Sequence, residues 1–439
     1  MGFLNIFSED GLFGVPLLSI IVAHAFYNIP LVIHYFVAYY QNFDRDLIDA
    51  AKTLKSNFFH KLFRVYLPLF IQPILTAAML TFNFCFLSFG IILMLGTPGN
   101  YRSVEVEINS SYYTGETNLA AALAIMQLID TVAYVIGYLF LMRRNSKQKA
   151  AMTTAVFPRT QLDFKVFFKK IGGYILSAVF IIGLTLELAP MISILVNSFV
   201  KTSTGKFTFE NYGDVFSLER NVYIGTSLPR TILNTLIFAI GGAIIATMLA
   251  TITIAALGKR RRERKTVTYE MISYLPLAIS SMTISLGIYR IFGNVGFFEN
   301  NPWLFIIISH GLLGYPFVTR ALMNGLNTID PEMLDSAKTL GANWWYKLRK
   351  IYIPLLFPAL IAGLAFAVGL SIGEFTIANF FYLENNTIAT LTVALYKLRG
   401  VRQFGQSSAV GAVLLVISYL SFFLIEIMGG REKTSSKIA

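Results

Sequence analysis

Long apolar runs alternate with short polar or basic connections along this chain. Nine of the runs are long enough to cross a hydrocarbon core, which takes about 20 helical residues at 1.5 Å each. They cover residues 15–39, 67–95, 119–142, 172–199, 231–257, 271–291, 303–323, 354–382 and 408–428. The pattern predicts an all-α polytopic membrane protein with nine transmembrane helices. Several runs exceed the minimum length, so tilted or kinked helices are expected.

Composition agrees. Of 439 residues, 55% are hydrophobic and only 14% charged, whereas a soluble domain carries about 25% charged residues. Cys85 is the one cysteine, which excludes an intramolecular disulfide and a cysteine-built metal site; it is expected to pack as a small apolar residue. The net charge of +12 resides largely in two connections. One holds Arg143, Arg144, Lys147, Lys149, Arg159, Lys165, Lys169 and Lys170, and the other holds Lys259 to Arg262, Arg264 and Lys265. The positive-inside bias makes both cytoplasmic, so the charge reports topology rather than nucleic-acid binding. Alternation along the spans then places Met1 outside, ahead of a first span with no basic leader and no cleavable signal pattern.

The most specific pattern occurs twice. Asp49-Ala-Ala-Lys-Thr-Leu-Lys55 returns as Asp335-Ser-Ala-Lys-Thr-Leu-Gly341, and the two tracts stay in register, without a gap, to Pro68 and Pro354. The offset of 286 residues also carries Ile20, His24 and Pro30 onto Ile306, His310 and Pro316. Each copy predicts a short cytoplasmic helix. An acidic start (Asp44 to Asp49, Asp330 to Asp335) suits the positive end of the helix dipole. Leu47, Ala50, Ala51 and Leu54 recur at helical spacing, matched by Met333, Ser336, Ala337 and Leu340. A proline then opens the next span, and Phe58-Phe59 or Trp344-Trp345 supplies an interfacial anchor. One such segment would equally suit a helix resting on headgroups. Two at the same register point to docking sites for two copies of a partner.

The halves are unequal. Three spans precede the repeated tract in the second half, and their equivalents would fall before residue 1. Either the gene product is shortened, or a separate N-terminal permease fragment supplies them, or the first half is natively reduced. The expected organisation is a three-span first repeat over 1–142, a basic linker over 143–171, a six-span second repeat over 172–430 and a cytoplasmic tail over 431–439.

The doubled segment resembles the signature cytoplasmic loop of permease subunits from binding-protein-dependent ABC importers: an acid, Ala-Ala, a glycine four residues on, then Ile-x-Leu-Pro. Asp335, Ala337, Gly341, Ile351 and Pro354 fit it, as do Asp49, Ala50, Ala51, Val65, Leu67 and Pro68. Phe209-Glu-Asn-Tyr212, Leu275-Pro-Leu-Ala278, Phe86-Leu-Ser-Phe-Gly90 and Leu370-Ser-Ile-Gly-Glu-Phe375 add to the likeness, and the fused two-repeat form is similar to ferric-iron and thiamine permeases. Lys55 departs from the pattern where Gly341 keeps it. The resemblance implies a type I importer permease with two parallel repeats, the first incomplete, in the bacterial plasma membrane. It implies two ABC ATPase subunits docked on Asp49, Ala50, Ala51, Leu54 and Lys55 and on Asp335, Ser336, Ala337, Leu340 and Gly341. It also implies an extracytoplasmic solute-binding protein, with membrane lipid around the spans. The chain has no phosphate-binding loop, so it is expected to be no enzyme and to hold no cofactor, ATP being bound by the partner subunit.

Acids inside spans are costly, about 2.5–3.5 kcal/mol on insertion scales, so Asp130, Glu187 and Glu374 are candidates for function. Ser88, Gly90, Ser371, Gly373 and Glu374 are expected along the translocation path, with Leu87-Ser-Phe-Gly90 as the counterpart of Leu370-Ser-Ile-Gly373. Helix packing with a paired acid is the competing reading. Glu187, close to Pro190, marks a kink, and Asp130 an interhelical hydrogen bond. The acids suit a cationic solute such as ferric iron or thiamine. His24 and His310 are expected to pack rather than bind metal; His34 and His60 receive no role. Two rivals remain. An ion-gradient-driven secondary transporter would favour inverted repeats, whereas these are parallel; a truncated permease-derived assembly protein would have lost transport.

Overall fold

The computed structural model describes residues 16–41, 62–96, 101–145, 171–258 and 278–435. The chain forms two compact units, residues 2–193 and 194–439. Among the described residues it is helical apart from turns and one bridge between Val200 and Phe207. The first unit contains α1 (Pro16–Gln41), α2 (Leu67–Phe86), α3 (Gly90–Leu95), α4 (Val104–Tyr113), α5 (Thr117–Asn145) and most of α6 (Ile171–Ser198). The second contains α7 (Glu210–Phe216), α8 (Leu228–Gly258), α9 (Ser281–Phe292), α10 (Gly296–Glu299), α11 (Trp303–Thr328), α12 (Pro331–Thr339), α13 (Trp344–Lys347), α14 (Ile353–Gly373), α15 (Thr376–Glu384), α16 (Leu391–Gly400) and α17 (Phe404–Ser435).

Seven of these helical stretches are long and apolar enough to span a membrane. Two predicted runs come out differently, and a third is described only in part, residues 271–277 lying outside the described residues. The run over 67–95 breaks after Phe86, and the run over 354–382 breaks after Gly373. The described part of the run over 271–291 is a helix of 12 residues, Ser281–Phe292. Its start is set by the N-cap Ser280, whose hydroxyl accepts from the Thr283 N–H at 3.0 Å.

The sequence repeat is reproduced as local structure. Turns of π-helix occupy Leu62–Tyr66 and Leu348–Tyr352, 286 residues apart. Each leads into the helix whose second residue is Pro68 or Pro354. Proline has no N–H to give the carbonyl four residues back, and its ring crowds that oxygen. A widened turn moves the carbonyl aside.

The core of the second unit lies where α8, α11 and α14 meet. Ala243, Ala246 and Ala250 face Val318, Leu322 and Met323, with Ala367 completing the contact. Without a hydrophobic drive inside lipid, such packing depends on small residues that let backbones close up. Glycines make the approach of α8 and α11 close: a Cβ on Gly242 would lie 2.5 Å from the Cβ of His310. A second cluster joins α7, α15, α16 and α17 through Val215, Ala378, Leu391, Leu398 and Val410. In the first unit, Ile20 and Ala23 of α1 pack with Leu95 of α3.

Candidate functional site

The second copy of the repeated segment is helix α12, and its ends are fixed by the residues that the pattern singled out. Asp330 is the N-cap, its carboxylate accepting from the Glu332 N–H at 2.8 Å, with Pro331 in the first turn. The C-terminus closes in a Schellman turn. The Ala342 N–H donates to the Ala337 carbonyl at 2.9 Å and the Gly341 N–H to the Lys338 carbonyl at 3.0 Å. Gly341 has φ +80° and open space where a Cβ would be. Its role is therefore the left-handed backbone that other residues resist, rather than close approach to a neighbour within the chain.

Leu334 packs onto the α8–α11–α14 core and Ala337 is half-buried. Met333, Asp335, Ser336, Lys338, Thr339 and Leu340 face outward, Leu340 being 88% exposed. The helix is thus held from one side and presented on the other. Trp344 packs on Tyr352 with ring centroids 5.7 Å apart, whereas Trp345 is exposed. Asp49, Ala50, Ala51, Leu54 and Lys55 of the first copy lie outside the described residues, as do His60 and the basic groups Lys259 to Lys265.

The two helix breaks are the second feature. α2 gives way to α3 at Leu87-Ser88-Phe89, and α14 to α15 at Glu374-Phe375. These breaks match at the offset of 286, so Ser88 is the counterpart of Glu374 and Phe89 of Phe375. The expected pairing of Leu87-Ser-Phe-Gly90 with Leu370-Ser-Ile-Gly373 is three residues out of this register. Free backbone in an apolar surrounding needs partners. Ser103, the N-cap of α4, donates its hydroxyl to the Ser88 carbonyl at 3.1 Å. Thr392 donates to the Glu374 carbonyl at 2.9 Å.

Glu374 is buried and caps α15 through its side chain, Oε2 accepting from the N–H groups of Ile377 at 2.9 Å and Ala378 at 3.3 Å. The same oxygen lies 3.7 Å from Nε2 of the buried His310 on α11. Ser371 is buried, Gly373 is exposed, and Ser88 and Gly90 are half-buried. Glu187 is half-buried on α6, whose interior includes Pro190. Asp130 is exposed on α5, and no hydrogen bond to a neighbouring helix is seen for it among the described residues. His24 donates from Nδ1 to the Ile20 carbonyl at 2.9 Å. Cys85 is half-buried and accepts from Nδ2 of Asn28 at 3.5 Å, a polar contact that the expected apolar packing did not include.

One buried acid went unread in the sequence. Glu105 on α4 is fully buried, and Oε1 accepts from Nε2 of Gln127 at 2.8 Å. It falls in a polar stretch between two apolar runs, outside the spans where acids draw notice. The signal available was its place in the first turn of a helix capped by Ser103. Among the described residues no group of three or more His, Cys, Asp or Glu is arranged to hold a metal ion.

Sequence comparison finds relatives among transport-system permeases. The chain is 23% identical to the thiamine transport system permease protein ThiP of Escherichia coli K12, over 97% of this chain and 74% of that one. It is 31% identical to the putative 2-aminoethylphosphonate transport system permease protein PhnV of Salmonella paratyphi A, over 44% of this chain and 78% of the relative. Sulfate transport system permease protein CysT of Escherichia coli K12 is 30% identical over 36% of the chain and 61% of its own length. Among solved structures, a bacterial alginate ABC transporter in complex with its pentasaccharide-bound periplasmic protein matches 62% of this chain and 98% of its own, at 17% identity and a TM-score of 0.48. The family model for the binding-protein-dependent transport system inner membrane component matches residues 1–147 and 252–433. The chain belongs to that family and is the multi-pass, inner-membrane permease component of an ABC importer.

Proposed function

We propose that the chain imports a small cationic solute, thiamine-like or ferric, delivered by an external binding protein and released inward as two ATPase subunits close. Each ATPase docks on one copy of the repeated segment, α12 receiving the second. ATP is bound by those subunits, and this chain contributes no covalent chemistry and needs no cofactor of its own. The observation that carries the reading is the outward face of α12. A helix held by Leu334, capped at both ends and exposing Met333, Asp335, Ser336 and Leu340, is built to seat in a partner's groove.

In this reading Ser88, Gly90, Ser371, Gly373 and Glu374 lie along the translocation path, because the two breaks are where the spans depart from regular helix. Solute charge is argued separately. The relatives carry names of both cationic and anionic solutes, thiamine and sulfate among them, so family membership leaves the charge open. The buried charged side chains among the described residues are Glu105 and Glu374, with no buried lysine or arginine, which favours a cation.

The test of docking is co-purification. Asp335→Lys and Gly341→Glu should lose the ATPase subunits while membrane insertion is unchanged, and a normal ATPase complement in both variants would overturn the reading. Uptake into proteoliposomes with labelled thiamine and labelled sulfate separates the two solute classes.

A further inference from the structure

We propose that the contact between His310 and Glu374 is a positioning device that makes the outer helix break follow the docking helix. It rests on the reading of α12 as the ATPase dock, and it assigns work to a histidine that packing alone does not explain.

The mechanical connection is short. α11 runs from Trp303 to Thr328 and passes into α12 across Ile329 and Asp330 alone. His310 stands 18 residues before the end of α11, about 27 Å along a helix axis. A displacement of α12 is therefore delivered to His310 through one continuous helix, clamped against α8 where Gly242 meets the His310 Cβ.

At the far end His310 meets a hinge rather than another rigid helix. Glu374 sits where α14 has ended and α15 has not begun, and its carboxylate is bonded to the first N–H groups of α15. Whatever moves this carboxylate re-aims α15, since hinges are the few positions that absorb backbone rotation. The separation of 3.7 Å lies just beyond hydrogen-bonding range. Neither ring nitrogen of His310 has a hydrogen-bond partner, although the side chain is buried. A buried polar group without a partner is costly. A shift of less than about 1 Å closes the bond, so the pair has a made and an unmade state close together.

The first repeat lacks this device. His24 stands at the position of His310, but Ser88 replaces the acid, and α1 is instead tied to α2 by Asn28 and Cys85. Among the described residues, a carboxylate at the break stands opposite this histidine position in the second repeat alone.

The test uses spin labels on either side of the break. In a Cys85→Ser background, Leu355→Cys on α14 and Leu383→Cys on α15 are labelled, both positions being exposed. The transporter is purified with its ATPase subunits in nanodiscs, and the inter-label distance is measured with and without ATP and vanadate. The unmodified pair should show a displaced distance distribution on trapping. His310→Ala and Glu374→Gln should each lose that displacement, the double variant should lose no more than either, and His24→Ala should keep it. Glu374→Gln retains an oxygen to cap α15, so its loss would not report unfolding. A displacement that survives in either single variant, or is absent without substitution, overturns the proposal. ATPase co-purification is scored in every sample. If the unmodified chain fails to retain the ATPase, the docking reading has failed and this inference falls with it; if the ATPase is retained and the displacement survives, only this inference falls.

Discussion

Ser103 donates its hydroxyl to the carbonyl oxygen of Ser88 at 3.1 Å. It thereby holds open backbone that α2 has just released. Thr392 does the same for Glu374 at 2.9 Å, and the donors lie at the start of equivalent helices, α4 and α16. The breaks are thus built features with satisfied carbonyls. Thr392→Val should leave a buried carbonyl unpaired and cost about 1–3 kcal/mol. Ser103→Ala should cost a similar amount: Ser103 is half-buried while Thr392 is buried, but the substitution also removes the N-cap of α4, itself about 0.5–2 kcal/mol. Thermal unfolding of both variants in detergent measures these costs.

Gly242 is, with Gly311 against Ile245, one of two equally tight points between α8 and α11. Its absent side chain would meet the His310 Cβ at 2.5 Å, whereas a Cβ on Gly287 of α9 meets nothing within 4 Å. Gly242→Ala should therefore destabilise by about 1–3 kcal/mol through overpacking. Gly287→Ala should be neutral or stabilise by up to about 1 kcal/mol, since alanine loses less backbone freedom in a helix. Melting temperatures of the two variants should move in opposite directions or differ by several degrees.

Much of this arrangement is legible in the sequence, and the exceptions have a common cause. The repeat at 286 residues identifies α12, its acidic cap and the prolines of α2 and α14, because each depends on residues adjacent in the chain. The runs over 303–323 and 408–428 correspond to spans in α11 and α17 for the same reason. The breaks do not show in hydropathy: from Leu370 to Phe381 apolar residues still outnumber the scattered polar ones, Ser371, Glu374, Thr376 and Asn379. Apolarity reports immersion, whereas the break depends on a cap by Glu374 and a hydroxyl 18 residues away. His310 and Glu374 are 64 residues apart, and no local pattern announces that they meet. Glu105 was hidden by its polar neighbours, although they belong to helix α4.

Lys397 on α16 gives a pH dependence with a definite sign. Burial lowers its pKa below the usual 10.5, although its ammonium lies over the Tyr382 ring at 5.0 Å. Between the lowered folded value and the unfolded one, the unfolded chain binds more protons. Stability therefore rises with pH through that window, and the penalty of burying the charge is present at neutral pH. Lys397→Met should remove this slope while leaving the melting temperature at neutral pH equal or higher. Melts at a series of pH values up to about 10.5 compare the two chains; a slope that is unchanged in the variant assigns it to another group.

At Gly341 the structure separates two reasons for a glycine. With φ +80° and nothing within 4 Å of a built Cβ, the chain itself imposes only the left-handed conformation. A non-glycine residue pays about 1–2 kcal/mol there, and asparagine tolerates that region better than a β-branched residue does. If backbone geometry is the whole requirement, ATPase retention should fall in the order Gly341, Gly341→Asn, Gly341→Val, in step with fraying of the Ala337–Ala342 turn. If the docked ATPase also presses against this position, Gly341→Asn should fail as completely as Gly341→Val. Quantifying ATPase subunits co-purified with each variant decides between them, and it indicates how Lys55, at the same place in the first copy, is to be interpreted.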